Sequence, residues 1–366
     1  MAEAFAAEIA KSLLWKLGSF AEQEFCLAWG LEADIGRLEK RVSAITAVLS
    51  DAEQKQSKND KIRFPNNFHQ VRSIVFADSI VGPTCKIDFE KCLSEFKHLR
   101  SLELLDDSAF EAFPERIGAL KHLRYLYFGI NIKIKRLPKS IFKLQNLQAL
   151  VVGCGIEELP KDVRYMTSLR FLDLSTQQKR LPEGGIGCLE CLQTLSIGFC
   201  ANLENLCEDM QGLKSLRKFV IINCGSLISL PRSIKYLTTL EELFIMNCDE
   251  LDLMTIEEKN EEKIQPLSLS LRIVMFANLP STTALPEQLL QGSAEFLQTF
   301  IIGDCPNIEE IPDCISNLKK LQHLEIIDCP RLSKRCRRET GEDWPKIKHI
   351  PKIEVGNDDS GEKTSD

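Results

Sequence analysis

A phrase with apolar residues at its first, fourth and sixth positions recurs through most of this chain. It starts at Leu99, Leu123, Leu147, Leu169, Leu192, Leu216, Leu240, Leu271, Leu297 and Leu321. The intervals are 24, 24, 22, 23, 24, 24, 31, 26 and 24 residues, and Val71, Ile74 and Phe76 form a weaker copy ahead of the first. A fixed period of this length is the strongest constraint on the fold, because one unit cannot hide its apolar face except against its neighbours. The chain must therefore stack.

Each unit has an internal order. In "LQTLSI" (192–197) Leu195 and Ile197 alternate with polar residues at the spacing of a short strand. About fourteen residues after the first leucine of seven units comes a proline preceded by an apolar residue: Phe113-Pro114, Leu137-Pro138, Leu159-Pro160, Leu181-Pro182, Leu230-Pro231, Leu285-Pro286 and Ile311-Pro312. Proline fixes φ and lacks an N–H, so it suits an outer turn and not a ladder strand. Segments such as "KSIFKL" (139–144) and "RSIKYL" (232–237) then predict a short helical or 3₁₀ stretch on the back. The expected architecture is an α/β solenoid, a leucine-rich-repeat horseshoe with a concave parallel sheet over residues 71–355.

Five copies place a cysteine at the ninth position: Cys200, Cys224, Cys248, Cys305 and Cys329, with Asn131 in the same slot of "LRYLYFGIN" (123–131). That slot lies just past the strand, where backbone groups turn inward and need partners. Cysteine is small, tolerates burial and carries a weak S–H donor, so these residues are expected to form a structural ladder. Catalysis and metal binding find little footing. The phosphate-cradling GxxxxGK[ST] is absent, "CLEC" (188–191) is a single pair, and the five histidines at 69, 98, 122, 323 and 349 make no HExxH. Neither a catalytic residue, a cofactor nor a metal ligand is nominated, and the expectation is a non-enzyme.

Net charge is −7 with a pI of about 5.5, which offers no general footprint for nucleic acid. The fourteen cysteines occur without an export signal at "MAEAFAAEIA", and no apolar run reaches the ~18 residues of a membrane span. The expected location is the cytoplasm, with the nucleus or a membrane periphery as alternatives. What remains is contact with proteins. Exposed strand positions supply Tyr125, Tyr127, Phe171, Phe244, Met246, Met275, Ile301 and Ile327 as anchors, with Arg217, Lys218, Glu241 and Glu242 to orient a partner.

Residues 1–60 follow a different rule. Leu31, Ile35, Leu38, Val42, Ile45, Leu49 and Ala52 are spaced 4-3-4-3-4-3, an a/d seam, and an earlier helix carries Phe5, Ile9, Leu13, Leu17, Phe20 and Phe25. Gly30 separates them. A short helical hairpin follows, with apolar surface left for a helical partner or for self-association. Residues 61–70 are expected as a linker, the acidic run 254–266 as a solvated insertion and 356–366 as a disordered tail.

The stretches "MAEAFAAEIAKSLLWKLGSFAEQEF" (1–25) and "VLSDAEQKQS" (48–57) resemble the Rx-type coiled-coil domain of plant intracellular disease-resistance proteins, the CC-NB-LRR family. The end "RCRRETGEDWPKIKHIPKIEV" (335–355) is similar to that family's terminal cap, in which Trp344 and Ile350 would close the core. The resemblance implies defence signalling: repeats that recognise a pathogen effector or a guarded host protein, or that regulate full-length receptors. The family's central nucleotide-binding NB-ARC module has no counterpart between coiled coil and repeats, so no nucleotide-binding residue carries over. Two alternatives stand beside this reading. One is a general cytosolic repeat scaffold. The other is an incomplete gene model, joined near 61–64, of a full receptor that would bind ADP/ATP.

Overall fold

The computed structural model describes residues 71–76, 93, 96–104, 113–128, 134–256 and 268–356. The expected hairpin in 1–60, the linker 61–70, Asn131, most of the acidic insertion and the tail after Gly356 lie outside the described residues.

The described residues form twelve parallel strands in one sheet, ordered as in the chain: β1 (Ser73–Phe76), β2 (Ser101–Leu104), β3 (Tyr125–Phe128), β4 (Ala149–Ile156), β5 (Phe171–Thr176), β6 (Thr194–Gly198), β7 (Lys218–Ile222), β8 (Glu242–Met246), β9 (Ile273–Ala277), β10 (Thr299–Gly303), β11 (His323–Ile327) and β12 (Lys352–Val355). The expected leucine-rich-repeat solenoid is what the chain builds. The degenerate first copy supplies β1, which pairs with β2.

Every repeat-initial leucine, from Leu99 to Leu321, is buried, and so is the inward-facing residue two or more positions on in each strand. Burying a leucine stabilises by about 1.5–3 kcal/mol, so the unbroken column down the solenoid dominates the fold's energetics. Register follows: Leu195, Phe219, Leu243, Val274, Phe300 and Leu324 sit opposite one another on successive strands. A slip by one residue would turn every one of them to solvent.

Strand entries repeat one device. Two consecutive N–H groups donate to a single carbonyl of the preceding unit, as Arg217 and Lys218 do to Gln193 (2.8 and 3.0 Å), and Glu241 and Glu242 to Arg217 (2.8 Å each). The outer turns obey the proline rule. Pro114, Pro138, Pro160, Pro231 and Pro312 each stand immediately ahead of a 3₁₀ helix, at φ between −70 and −66°, where the missing N–H removes nothing the helix needs. Pro286 likewise precedes a true α-helix, α1 (Glu287–Gly292). Exposed pairs such as Arg136–Glu157 (3.0 Å) and Lys214–Glu190 (3.0 Å) link neighbouring turns, and each is worth at most about 1 kcal/mol.

The C-terminal end is closed by α2 (Pro330–Arg335), α3 (Trp344–Ile347) and β12. Cys336, Ile347 and Ile350 are buried there, while Trp344 packs partly buried against the core. Asp343, with its side chain 1 % exposed, holds the cap together: it meets Arg335 (Oδ2–Nε 2.9 Å) and Lys346 (Oδ1–Nζ 3.1 Å) and accepts from the Ile311 N–H (3.1 Å). Burial works against its charge, but the bonds from Arg335, Ile311 and Lys346 outweigh that and hold the carboxyl below its usual range.

Two outer-turn glycines are needed for different reasons, one for close stacking and one for its backbone conformation. A Cβ on Gly212 would run into the Gly187 carbonyl of the preceding turn, whereas one on Gly184, at φ +70°, would meet open space. Gly212→Ala is therefore expected to cost more than about 2 kcal/mol by overpacking, and Gly184→Ala about 1 kcal/mol through backbone strain alone. Urea unfolding of the two variants side by side checks the order.

Candidate protein-binding face

Residues that point away from the leucine column share the other face of the sheet. In register across β6 to β12 run Ser196, Val220, Phe244, Met275, Ile301, Glu325 and Glu354, with the parallel row Gly198, Ile222, Met246, Ala277, Gly303 and Ile327 beside it. An apolar band thus occupies β7 to β10. Tyr125, Tyr127 and Phe171 stand half-buried on the same face nearer the N-terminal end, as do Ile301 and Ile327 toward the other.

The nominated anchors are not all exposed, as the sequence reading expected. Phe244, Met246 and Met275 are only 6 %, 4 % and 8 % accessible, because in-register neighbours about 4.8 Å away on both sides cover them. Lys218 is buried as well: its ammonium pairs with Glu242 (2.9 Å) and lies 5.1 Å from the centre of the Phe244 ring. Its charge is spent inside the sheet face. Arg217 and Glu241 sit at the strand entries and belong to a surface chain, Arg217–Glu241 (3.4 Å) and Glu241–Arg272 (3.7 Å).

The five thiols lie just past β6, β7, β8, β10 and β11, all fully buried. Each donates to the carbonyl two residues earlier: Cys200 to Gly198 (3.3 Å), Cys224 to Ile222 (3.5 Å), Cys248 to Met246 (3.4 Å), Cys305 to Gly303 (3.2 Å) and Cys329 to Ile327 (3.2 Å). Two also accept from backbone N–H groups of the preceding unit, Cys200 from Thr176 and Cys329 from Cys305 (3.3 Å each). In the unit that starts at Leu271 the slot holds Leu279. Burial raises Cys248 to about 12, and hydrogen bonding of the Cys200 thiol toward Cys224, with burial, pushes Cys200 up. Cys336, flanked by arginines in sequence, is likewise buried and raised to about 12 by that burial. Thiols held protonated in this way are poor nucleophiles.

A second ladder runs one residue ahead of the thiols, and the sequence reading missed it. Phe199, Asn223, Asn247, Asn278, Asp304 and Asp328 all have φ between +49 and +56°. Asn and Asp tolerate that left-handed region better than other side chains. The amides also pair along the stack, Asn247 donating to Asn223 (2.8 Å) and Asn278 to Asn247 (3.1 Å). The signal was present in the recurrent "NC" and "DC" dipeptides. On the last two rungs carboxylates replace amides, and burial followed by the charge of Asp328 pushes the Asp304 carboxyl up.

A third grouping was also unforeseen: His323, Glu325 and Glu354, whose donor atoms lie within 4.8 Å of one another at the C-terminal end of the face. No sequence motif joins residues 323 and 354, and only the pairing of β11 with β12 brings them together.

A stacked parallel sheet ordered as in the chain, with an apolar band on its free face, defines a leucine-rich-repeat solenoid. Among the described residues no helix is long and apolar enough to cross a membrane. The family model for a leucine-rich repeat region matches residues 70–288, and this chain belongs to the leucine-rich repeat family. The Rx N-terminal domain model matches residues 9–77, so the two matched regions meet without an intervening segment, in the coiled-coil-plus-repeat layout of plant resistance-type proteins. The chain is similar to Disease resistance protein RPP8 of Arabidopsis thaliana, 25 % identical over 77 % of this chain and 39 % of that protein. It is also similar to TMV resistance protein N of Nicotiana glutinosa, 27 % identical over 63 % of this chain and 20 % of that protein. It therefore spans less than half the length of these relatives. Among solved structures it is similar to a chain of the Toll–Spatzle complex of Drosophila, with TM-score 0.50 and 17 % identity over 70 % of this chain and 36 % of that one, a likeness of fold alone.

Asp304→Asn extends the amide ladder and removes a carboxylate that the fold disfavours. A carboxyl whose pKa is raised by folding contributes stability below its unfolded pKa and loses it as pH rises through the folded value. The variant should be more stable than the parent at pH 7 by up to about 1 kcal/mol, the usual range for a half-buried position, and the advantage should shrink at pH 3.5. Urea unfolding at both values tests it.

Proposed function

We propose that this protein acts in plant defence as a non-catalytic binding module, recognising an effector, a guarded host protein or a related receptor through the free face of its sheet. The observation that carries this reading is the apolar band from Val220 through Phe244 and Met275 to Ile301, flanked in register by Ser196 and Asp173 on one side and by Glu325 and Glu354 on the other. Desolvated apolar centres ringed by polar groups are where binding energy concentrates. The side chains a partner would touch first are the half-buried ones: Tyr125, Tyr127, Phe171, Val220, Ile301 and Ile327. Phe244, Met246 and Met275 form the floor beneath them.

In the same proposal residues 1–60 engage a helical surface of a related receptor or of a second copy. Support comes from the heptad seam and from the Rx N-terminal domain model that matches residues 9–77. The site of action is inside the cell.

Binding of the full chain to a panel of purified effectors and related receptors, read by surface plasmon resonance, tests the assignment of the face. Tyr127→Ala and Ile301→Lys should each weaken a detected interaction roughly tenfold or more, with thermal midpoints little changed. Tyr165→Ala and Tyr236→Ala, 52 % and 57 % exposed on the outer turns, should leave it intact. The opposite pattern would move the binding surface to the back of the solenoid.

The two family matches leave no residues between them for a nucleotide-binding module. Calorimetry with ATP and ADP should accordingly show no saturable heat; a stoichiometric isotherm would favour a receptor that carries its own nucleotide switch.

A further inference from the structure

His323 and Glu325 lie two residues apart on β11, so both side chains emerge on the free face of the sheet, and Glu354 stands opposite Glu325 on β12. The imidazole Nε2 is 3.9 Å from a Glu325 oxygen and 3.8 Å from Glu354 Oε2. Both distances are too long for a hydrogen bond. Yet this nitrogen is shielded from solvent and has no hydrogen-bond partner in the protein, although the ring as a whole is 23 % exposed. A buried polar atom left this way costs about 1–3 kcal/mol, and two carboxylates aimed at it from adjacent strands do not relieve the cost.

We infer that His323, Glu325 and Glu354 form a binding site for a first-row divalent transition-metal ion. Metal–ligand distances near 2.1 Å place neighbouring donors of a tetrahedral site about 3.4 Å apart. The two imidazole–carboxylate separations need to close by roughly half an ångström, and all three donor atoms already lie within 4.8 Å of one another, within the reach of glutamate side chains on a fixed backbone. The donor types agree: one imidazole with two carboxylates suits zinc, manganese, cobalt and their neighbours better than calcium or magnesium, which take oxygen ligands alone. The charges agree too. Lys352 bonds the other oxygen of Glu354 (2.9 Å), which orients Oε2 toward the imidazole and leaves the site about one net negative charge. Three protein ligands leave at least one coordination position open toward the free face.

The alternative arrangement of the same groups is an imidazolium flanked by two carboxylates with no metal. Titration of the full, chelator-treated chain separates the two. Mn²⁺ is followed by loss of its free-ion paramagnetic resonance signal, and Zn²⁺ by calorimetry in a Cys188→Ser/Cys191→Ser background, because those two thiols are exposed and would compete. One equivalent of saturable Mn²⁺ and Zn²⁺ binding is expected, weakened roughly tenfold or more by His323→Gln and by the isosteric Glu325→Gln. Glu190→Gln, in an ion pair on an outer turn, should leave it unchanged. Near-ultraviolet circular dichroism checks that each variant keeps its fold, and Glu325→Gln stands as the decisive variant if His323→Gln does not. Absence of saturable Mn²⁺ binding up to about 1 mM, or equal affinity in parent and Glu325→Gln, would overturn the inference.

Discussion

The structure depends on one continuous column of buried leucine and isoleucine that no single repeat can complete. Each strand contributes two or three inward side chains, and their apolar surface leaves water only when the next coil covers it. The near-constant interval between first leucines lets every coil return its strand to the same register, and the parallel ladder from β1 to β12 is the geometric consequence. The outer turns accommodate the length differences: 3₁₀ helices after proline in most units, one α-helix after Pro286 in the unit that begins at Leu271.

A stack of this kind must also satisfy the backbone groups at both ends of every strand, and it does so with repeated chemistry. Paired N–H groups share one carbonyl at the entries. At the exits, left-handed Asn and Asp residues carry the chain out of the sheet, and the thiols behind them bond the carbonyls that turn inward. Cysteine in this setting is a small, buried, weak donor. The end of the stack poses a different problem, since the last coil has no successor. The cap answers it by covering the core with Cys336, Ile347 and Ile350 and by pinning its loop through the buried Asp343 carboxylate.

Periodicity carried most of the fold into view because leucine spacing and strand alternation are local properties repeated ten times, and proline placement one repeated seven times. The left-handed Asn/Asp ladder escaped notice although its dipeptides are plain, since a positive φ has no hydropathy signature. Alternation also correctly put Phe244, Met246 and Met275 on the free face of the sheet. It could not show that neighbours on β7 and β9, or β8 and β10, would cover them, because lateral burial depends on what stands in register on other strands. Lys218 is the same case: its partners Glu242 and Phe244 lie 24 and 26 positions further along the chain.

By itself, the sequence determined that this chain stacks, how long each coil is, which leucines enter the core and which face remains for contact, since all of these follow from a period that any window of the chain displays. Tertiary structure alone decided which side chains of the free face are covered and which stay accessible, and that His323, Glu325 and Glu354 stand together. Those outcomes depend on lateral register between units, and the register places side by side residues that chain distance keeps apart.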